Sequence, residues 1–162
     1  MSEKSKESTK NLNGVKGWLA LFIVAMGIGI IVNLLSLTEY SGAFADIKSI
    51  QSEMPEFVNA MIPALWFEVI QNIILIASAA AVITLIIMRK SVAKIGAIAL
   101  ISGAFIFVLA DYIWVALIFS QNNLDLGLIE SSGSDVVRSL ITAAIWIPYF
   151  TASKRVKATL VK

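Results

Sequence analysis

Three ionisable side chains interrupt long apolar stretches of this sequence: Glu68, Asp111 and Arg138. A charge among lipid tails is costly and marks a functional site by default. Amides and a hydroxyl accompany them. Asn72 stands one helical turn from Glu68 with Gln71 beside it, Asn33 lies near the end of the first stretch, and Thr142 follows Arg138 by one turn. Counted as helices, Glu68 and Asp111 lie roughly 9 and 12 Å below the same end of their segments, so the two carboxyls share a level. Arg138 is long enough to reach either acid. The expectation is an intramembrane polar cluster of Glu68, Asp111, Arg138, Asn33, Asn72 and Thr142, with Arg138 paired to one carboxylate and the amides satisfying the rest. Such a cluster would bind an ion or a small polar ligand, or would only fix helix register. The other half of the apolar stretches carries no acid, amide or base, so no polar path through the whole thickness is predicted.

The absent residue types are equally informative. The chain has no histidine and no cysteine, which removes imidazole acid–base catalysis, thiolate chemistry and the usual zinc sites. No phosphate-cradling loop and no nucleophile–base pair is present either. Neither enzymatic activity nor a cofactor or metal is predicted.

The elements that must position the cluster follow from composition. Of 162 residues, 58% are hydrophobic and 15% charged, whereas soluble domains carry about 25% charged residues. Four apolar runs stand out, at about 16–37, 62–88, 95–119 and 136–152. A membrane-crossing helix needs roughly 17–25 residues, so an all-α polytopic membrane protein is predicted, with four transmembrane helices in an antiparallel bundle. The transmembrane domain spans 15–153, between a polar tail at 1–14, predicted disordered, and a basic tail at 154–162. Pro63 suits the first turn of the second helix, and Ser134 with Asp135 suits the cap and first turn of the fourth. Arg89 and Lys90 close the second helix before a short turn to the third. In the first loop, Phe44, Ile47, Ile50 and Met54 recur every three or four residues, predicting a short amphipathic helix there. Small residues (Ala25 and Gly29, Ala77 and Ala81, Gly96, Ala99 and Gly103) predict close helix packing, within the bundle or in a homodimer. Ala43-Phe44-Ala45 resembles a signal-peptide cleavage site, but the run before it exceeds the roughly 7–15 residues of a signal core, so no cleavage is expected.

Charge asymmetry predicts orientation. With both termini and the 89–94 turn on one side, eleven of the thirteen Lys and Arg residues lie there; basic residues are retained on the cytoplasmic side. The expectation is a bacterial cytoplasmic membrane protein with cytoplasmic termini. Lys154, Arg155 and Lys157 would anchor it to anionic headgroups, with Trp18 and Tyr149 at the interface, and Pro148 would bend the fourth helix. The expected partners are the lipid bilayer and another membrane protein or a second copy of the chain, not nucleic acid. The expected role is a small accessory, regulatory or scaffold subunit. The alternative is a small transporter or ligand-sensing protein using the polar cluster.

Two parts of the sequence also carry a resemblance. Arg138-Ser139-Leu140, then Ala144-Ile145-Trp146-Ile147-Pro148-Tyr149-Phe150, then Ser153-Lys154-Arg155-Val156-Lys157-Ala158-Thr159, with Gly17-Trp18-Leu19 near the start, resemble an uncharacterised bacterial inner-membrane family, domain of unknown function 2569. The resemblance implies four helices in a bacterial cytoplasmic membrane and implies no activity, cofactor or catalytic residue.

Overall fold

The computed structural model describes residues 14–124 and 130–161; the predicted polar tail (but for Gly14), Asp125 and Lys162 lie outside them. It is all-helical: α1 Trp18–Ser49, α2 Pro55–Ile87, α3 Val92–Gln121, α4 Glu130–Ala152 and α5 Lys154–Thr159. The first three have 32, 33 and 30 residues, about 45–50 Å at 1.5 Å per residue. Each is long and apolar enough to cross a membrane, which points to a multi-pass membrane protein.

The helices exceed the predicted apolar runs because nothing in the sequence stops them earlier. No proline interrupts the chain before Pro55, so α1 continues through Tyr40 to Ser49. There is accordingly no separate amphipathic helix in the first loop. Its apolar stripe is the final turns of α1 and the connection after it: Ile47, Ile50 and Met54 pack against buried Phe57, Val58 and Ile118, and Phe44 meets Trp66 at 5.2 Å between ring centres. The first turn of α2 belongs to Pro55, where a missing N–H removes no helical bond; Pro63 lies inside the helix. Likewise α4 begins at Glu130 rather than after Ser134, and it continues through Pro148 to Ala152.

The α2–α3 hairpin is set by its turn. Arg89 takes a left-handed φ of 57°, while the N–H of Lys90 reaches the Leu85 carbonyl at 2.9 Å and that of Arg89 the Ile86 carbonyl at 3.0 Å. These paired bonds close a helix end whose last carbonyls lack helical partners. Asn123, φ 55°, ends α3 in the same way, with Leu124 N–H on the Phe119 carbonyl at 2.9 Å.

The main core lies at the end of the bundle that holds the α2–α3 turn and α5. Leu19, Phe22, Val82, Ile86, Ala97 and Phe150 are buried together there. Phe22 packs edge-on against Trp146 at 4.9 Å and Phe150 at 4.8 Å, and Trp18 meets Trp146 at 5.8 Å. The predicted basic tail folds onto this core as α5. Val156 and Leu160 are buried in it, and Ser153 caps the helix by accepting from Val156 N–H. Thr159 Oγ1 accepts from Gly14 N–H at 3.2 Å and donates to the Gly14 carbonyl at 3.3 Å, joining α5 to the segment before α1. Gly17, next to α1, has φ 58° and ψ −132°, a conformation open only to glycine.

Most of the small residues do not serve packing within the bundle. Ala25, Ala77, Ala81 and Ala99 are exposed on its outside. A Cβ at Gly29 or Gly103 would meet nothing within 4 Å, whereas at Gly96 it would lie 3.3 Å from Val82 Cγ2. Gly96→Leu should therefore force α2 and α3 apart and cost about 1–3 kcal/mol, read as a lower thermal midpoint in detergent. Gly103→Ala should leave that midpoint nearly unchanged; equal effects of the two would contradict this packing.

Candidate functional site

Antiparallel packing of α2 and α3 carries Glu68 and Asp111 to one level. Nineteen residues separate Glu68 from Ile87, and nineteen separate Val92 from Asp111, so each carboxyl stands about 28 Å from the hairpin turn. Both line one cavity of about 210 Å³, together with Tyr40 of α1, Gln71 of α2, Val108 of α3, and Ser132 and Asp135 of α4. All four long helices contribute. Asp135, its side chain 59% exposed, stands at the rim and connects the chamber with the outside.

Within the chamber one hydrogen bond joins α2 to α1. Asn72 Nδ2 donates to the Tyr40 hydroxyl at 2.8 Å, and that hydroxyl lines the same cavity as Glu68. Two acceptors are left over. Among the described residues, Asp111 Oδ1 and Gln71 Oε1 are buried without a hydrogen-bond partner, and Gln71 as a residue is only 9% exposed. A buried acceptor without a donor costs roughly 1–3 kcal/mol, so both atoms are available to a ligand that donates.

The predicted cluster is thus only partly assembled. Glu68 and Asp111 share the chamber, and Asn72 joins through Tyr40. Asn33 and Thr142 line a second cavity further along the bundle; each bonds to its own helix, Asn33 Nδ2 to the Gly29 carbonyl at 2.8 Å and Thr142 Oγ1 to the Arg138 carbonyl at 2.9 Å. Arg138 does not pair with either intramembrane acid. Its side chain is 77% exposed and lies 3.2 Å from Asp135, one turn earlier on the same helix. The reason is local: once α4 begins at Glu130, Asp135 at the chamber rim holds Arg138 one turn on in an exposed pair, which needs no desolvation. Tyr40, Ser132 and Asp135 join the chamber without standing among the expected residues. Hydropathy places Tyr40 in a loop; the absence of a helix breaker after Leu37 is the signal that carries α1 through it.

At the opposite end, the predicted headgroup anchors divide. Lys154 and Lys157 are exposed on α5, whereas Arg155 is half-buried and its Nη1 has no hydrogen-bond partner.

Comparison with known proteins bears on the whole bundle. The sequence matches the family described as protein of unknown function, DUF2569, over residues 12–161. The chain belongs to this family. No curated protein and no solved structure matches it. Seen in the fold, much of the closing DUF2569-like motif is packing: Trp146, Phe150, Val156 and Thr159 all build the terminal-end core.

Two substitutions separate the interhelical hydrogen bond from the exposed ion pair. Tyr40→Phe strands Asn72 Nδ2 and should cost about 1–3 kcal/mol. Arg138→Ala should stay within about 0.5 kcal/mol, as exposed substitutions do. Thermal unfolding in detergent checks both, and a large loss with Arg138→Ala would restore the buried pairing.

Proposed function

We propose that this chain is a four-span protein of the bacterial cytoplasmic membrane that binds a small cation in its acidic chamber, in a ligand-sensing capacity. The observation that carries the reading is the pair of unpartnered acceptors, Asp111 Oδ1 and Gln71 Oε1, beside a second carboxyl. Acceptors without donors attract a ligand that brings N–H or O–H groups and positive charge. A metal ion fits less well: among the described residues, no group of three or more His, Cys, Asp or Glu converges as a metal site requires.

Binding is favoured over passage. Beyond the chamber the interior is mainly apolar, its Asn33, Ser139 and Thr142 being hydrogen-bonded to their own helices, and it ends on Phe22, Trp146 and Phe150, which offer a cation no carboxyl or amide to step onto. Catalysis is not part of the reading, since the chain lacks histidine and cysteine. In this orientation the eleven basic residues face the cytoplasm and the chamber opens to the external side. The fourth span is α4, whose 23 residues cover about 34 Å.

A competing reading, an accessory or scaffold subunit, draws on the small residues Ala77, Ala81 and Ala99 that face out of the bundle, where a partner helix could approach closely. A stoichiometric protein partner retained in mild detergent would favour it.

Two measurements test the main reading. Asp111→Asn and Glu68→Gln should each weaken binding of methylammonium by tenfold or more in the purified protein, and unchanged binding would remove the site. Because the chain has no cysteine, topology can be read by single substitutions. Gln121→Cys should react with an impermeant maleimide in intact cells, and Val161→Cys only after permeabilisation; labelling of both from one side would contradict a membrane-spanning α4.

A further inference from the structure

The chamber has a second cavity beneath it. One of about 180 Å³ lies between α1 and α4, with α2 and α3 as its floor. Extensive helix packing runs only from α1 to α2, α2 to α3 and α3 to α4. α1 and α4 are tied together at the terminal end by their aromatic rings, and the gap beyond those rings is this crevice. Three helices pass from chamber to crevice in a single turn: Gln71 to Leu75, Val108 to Ala104, and Asp135 to Ser139. The two cavities are stacked on the same helix faces.

The chemistry changes over that one turn. The chamber offers carboxyls and unspent acceptors. The crevice is walled mainly by Met26, Ile30, Leu75, Leu100 and Ile101. Its polar side chains have turned their donors back onto their own helices: Asn33 to Gly29, Thr142 to Arg138, and Ser139 to the Val136 carbonyl at 2.9 Å. A side chain bonded to its own backbone in this way presents little polarity to the cavity.

We infer that the ligand is an amphipathic organic cation, an ammonium head on a slender apolar tail. This rests on the cation reading above and adds the tail. The ammonium donates to Asp111 Oδ1 and Gln71 Oε1, and the tail descends between α1 and α4. From the level of Val108 to that of Ile101 is about 10 Å, the reach of a hexyl to octyl chain. Together the two cavities reach the lower part of the usual small-molecule range, roughly 300–1,000 Å³. A bare inorganic cation would leave the crevice unused, and a quaternary ammonium would bring no N–H to the two acceptors.

The test is a titration of the full-length protein in detergent with n-alkylammonium chlorides from methyl to octyl, read by tryptophan fluorescence. Gly29 lines the crevice and has open space around its Cβ position, so Gly29→Leu fills the crevice without collision; Ala104→Leu fills it from α3 as a second variant. The wild type should gain about three- to fourfold in affinity per methylene up to hexyl. The crevice-filled variants should bind methylammonium as the wild type does but gain less than twofold across the whole series. Asp111→Asn should weaken every member at least tenfold. Equal chain-length gains in wild type and filled variants would assign the gain to the micelle and overturn the amphipathic ligand alone. No binding of any amine by the wild type would overturn the cation site beneath it as well.

Discussion

Everything in this structure turns on two carboxyls held at one depth without a buried cation to neutralise them. A lone ionisable group among apolar helices is tolerated where it faces the bundle interior or water. Here Glu68 and Asp111 face a cavity lined from all four long helices, and the hydrogen bond from Asn72 to Tyr40 fixes α2 against α1 beside them. Their common level is a product of the hairpin. The left-handed residue at Arg89 and the bond from Lys90 to Leu85 stop α2 and launch α3 in the register that puts both acids about 28 Å away. A shift of one turn in that register would separate them by about 5 Å.

The opposite end of the bundle shows why the chamber has a floor. α1 and α4, which part around the crevice, are brought together by Trp18, Phe22, Trp146 and Phe150, and α5 packs Val156 across the same core. Edge-to-face aromatic pairs add roughly 0.5–1.5 kcal/mol each beyond burial. The bonds between Thr159 and Gly14 complete the seal. The interior is polar at one end, mainly apolar in the middle and packed with aromatic rings at the other.

Much of this was legible in the sequence, and the failures have physical causes. Apolar runs located all four long helices, and counting residues at 1.5 Å each put Glu68 and Asp111 at one level, because helix rise does not depend on tertiary context. Hydropathy alone makes the helices too short, since it detects the apolar stretch and not the turns beyond it. The stripe of Phe44, Ile47 and Ile50 was correctly amphipathic, but periodicity alone cannot say whether such a stripe starts a new helix or extends an old one. That error hid Tyr40, which enters the site only when α1 runs on. Arg138 was misplaced for another reason: opposite charges suggest a pair, yet Asp135 one turn away offers an exposed partner at no desolvation cost. The rotation of α4 that decides between them depends on packing against α3, which residue types do not encode locally. Small residues alone do not say which helix they approach: Gly96 packs inside the hairpin, whereas Ala25, Ala77, Ala81 and Ala99 face outward.

The central claim is that the acids occupy a pocket reached from one side of the membrane and sealed from the other. Val108 lines the chamber, and the chain has no cysteine of its own, so Val108→Cys gives a single reporter. A cationic, membrane-impermeant thiol reagent should modify it rapidly when added on the side of the α1–α2 turn and hardly at all from the side of the chain termini. Equal reaction from both sides, or reaction only from the side of the termini, would contradict the account.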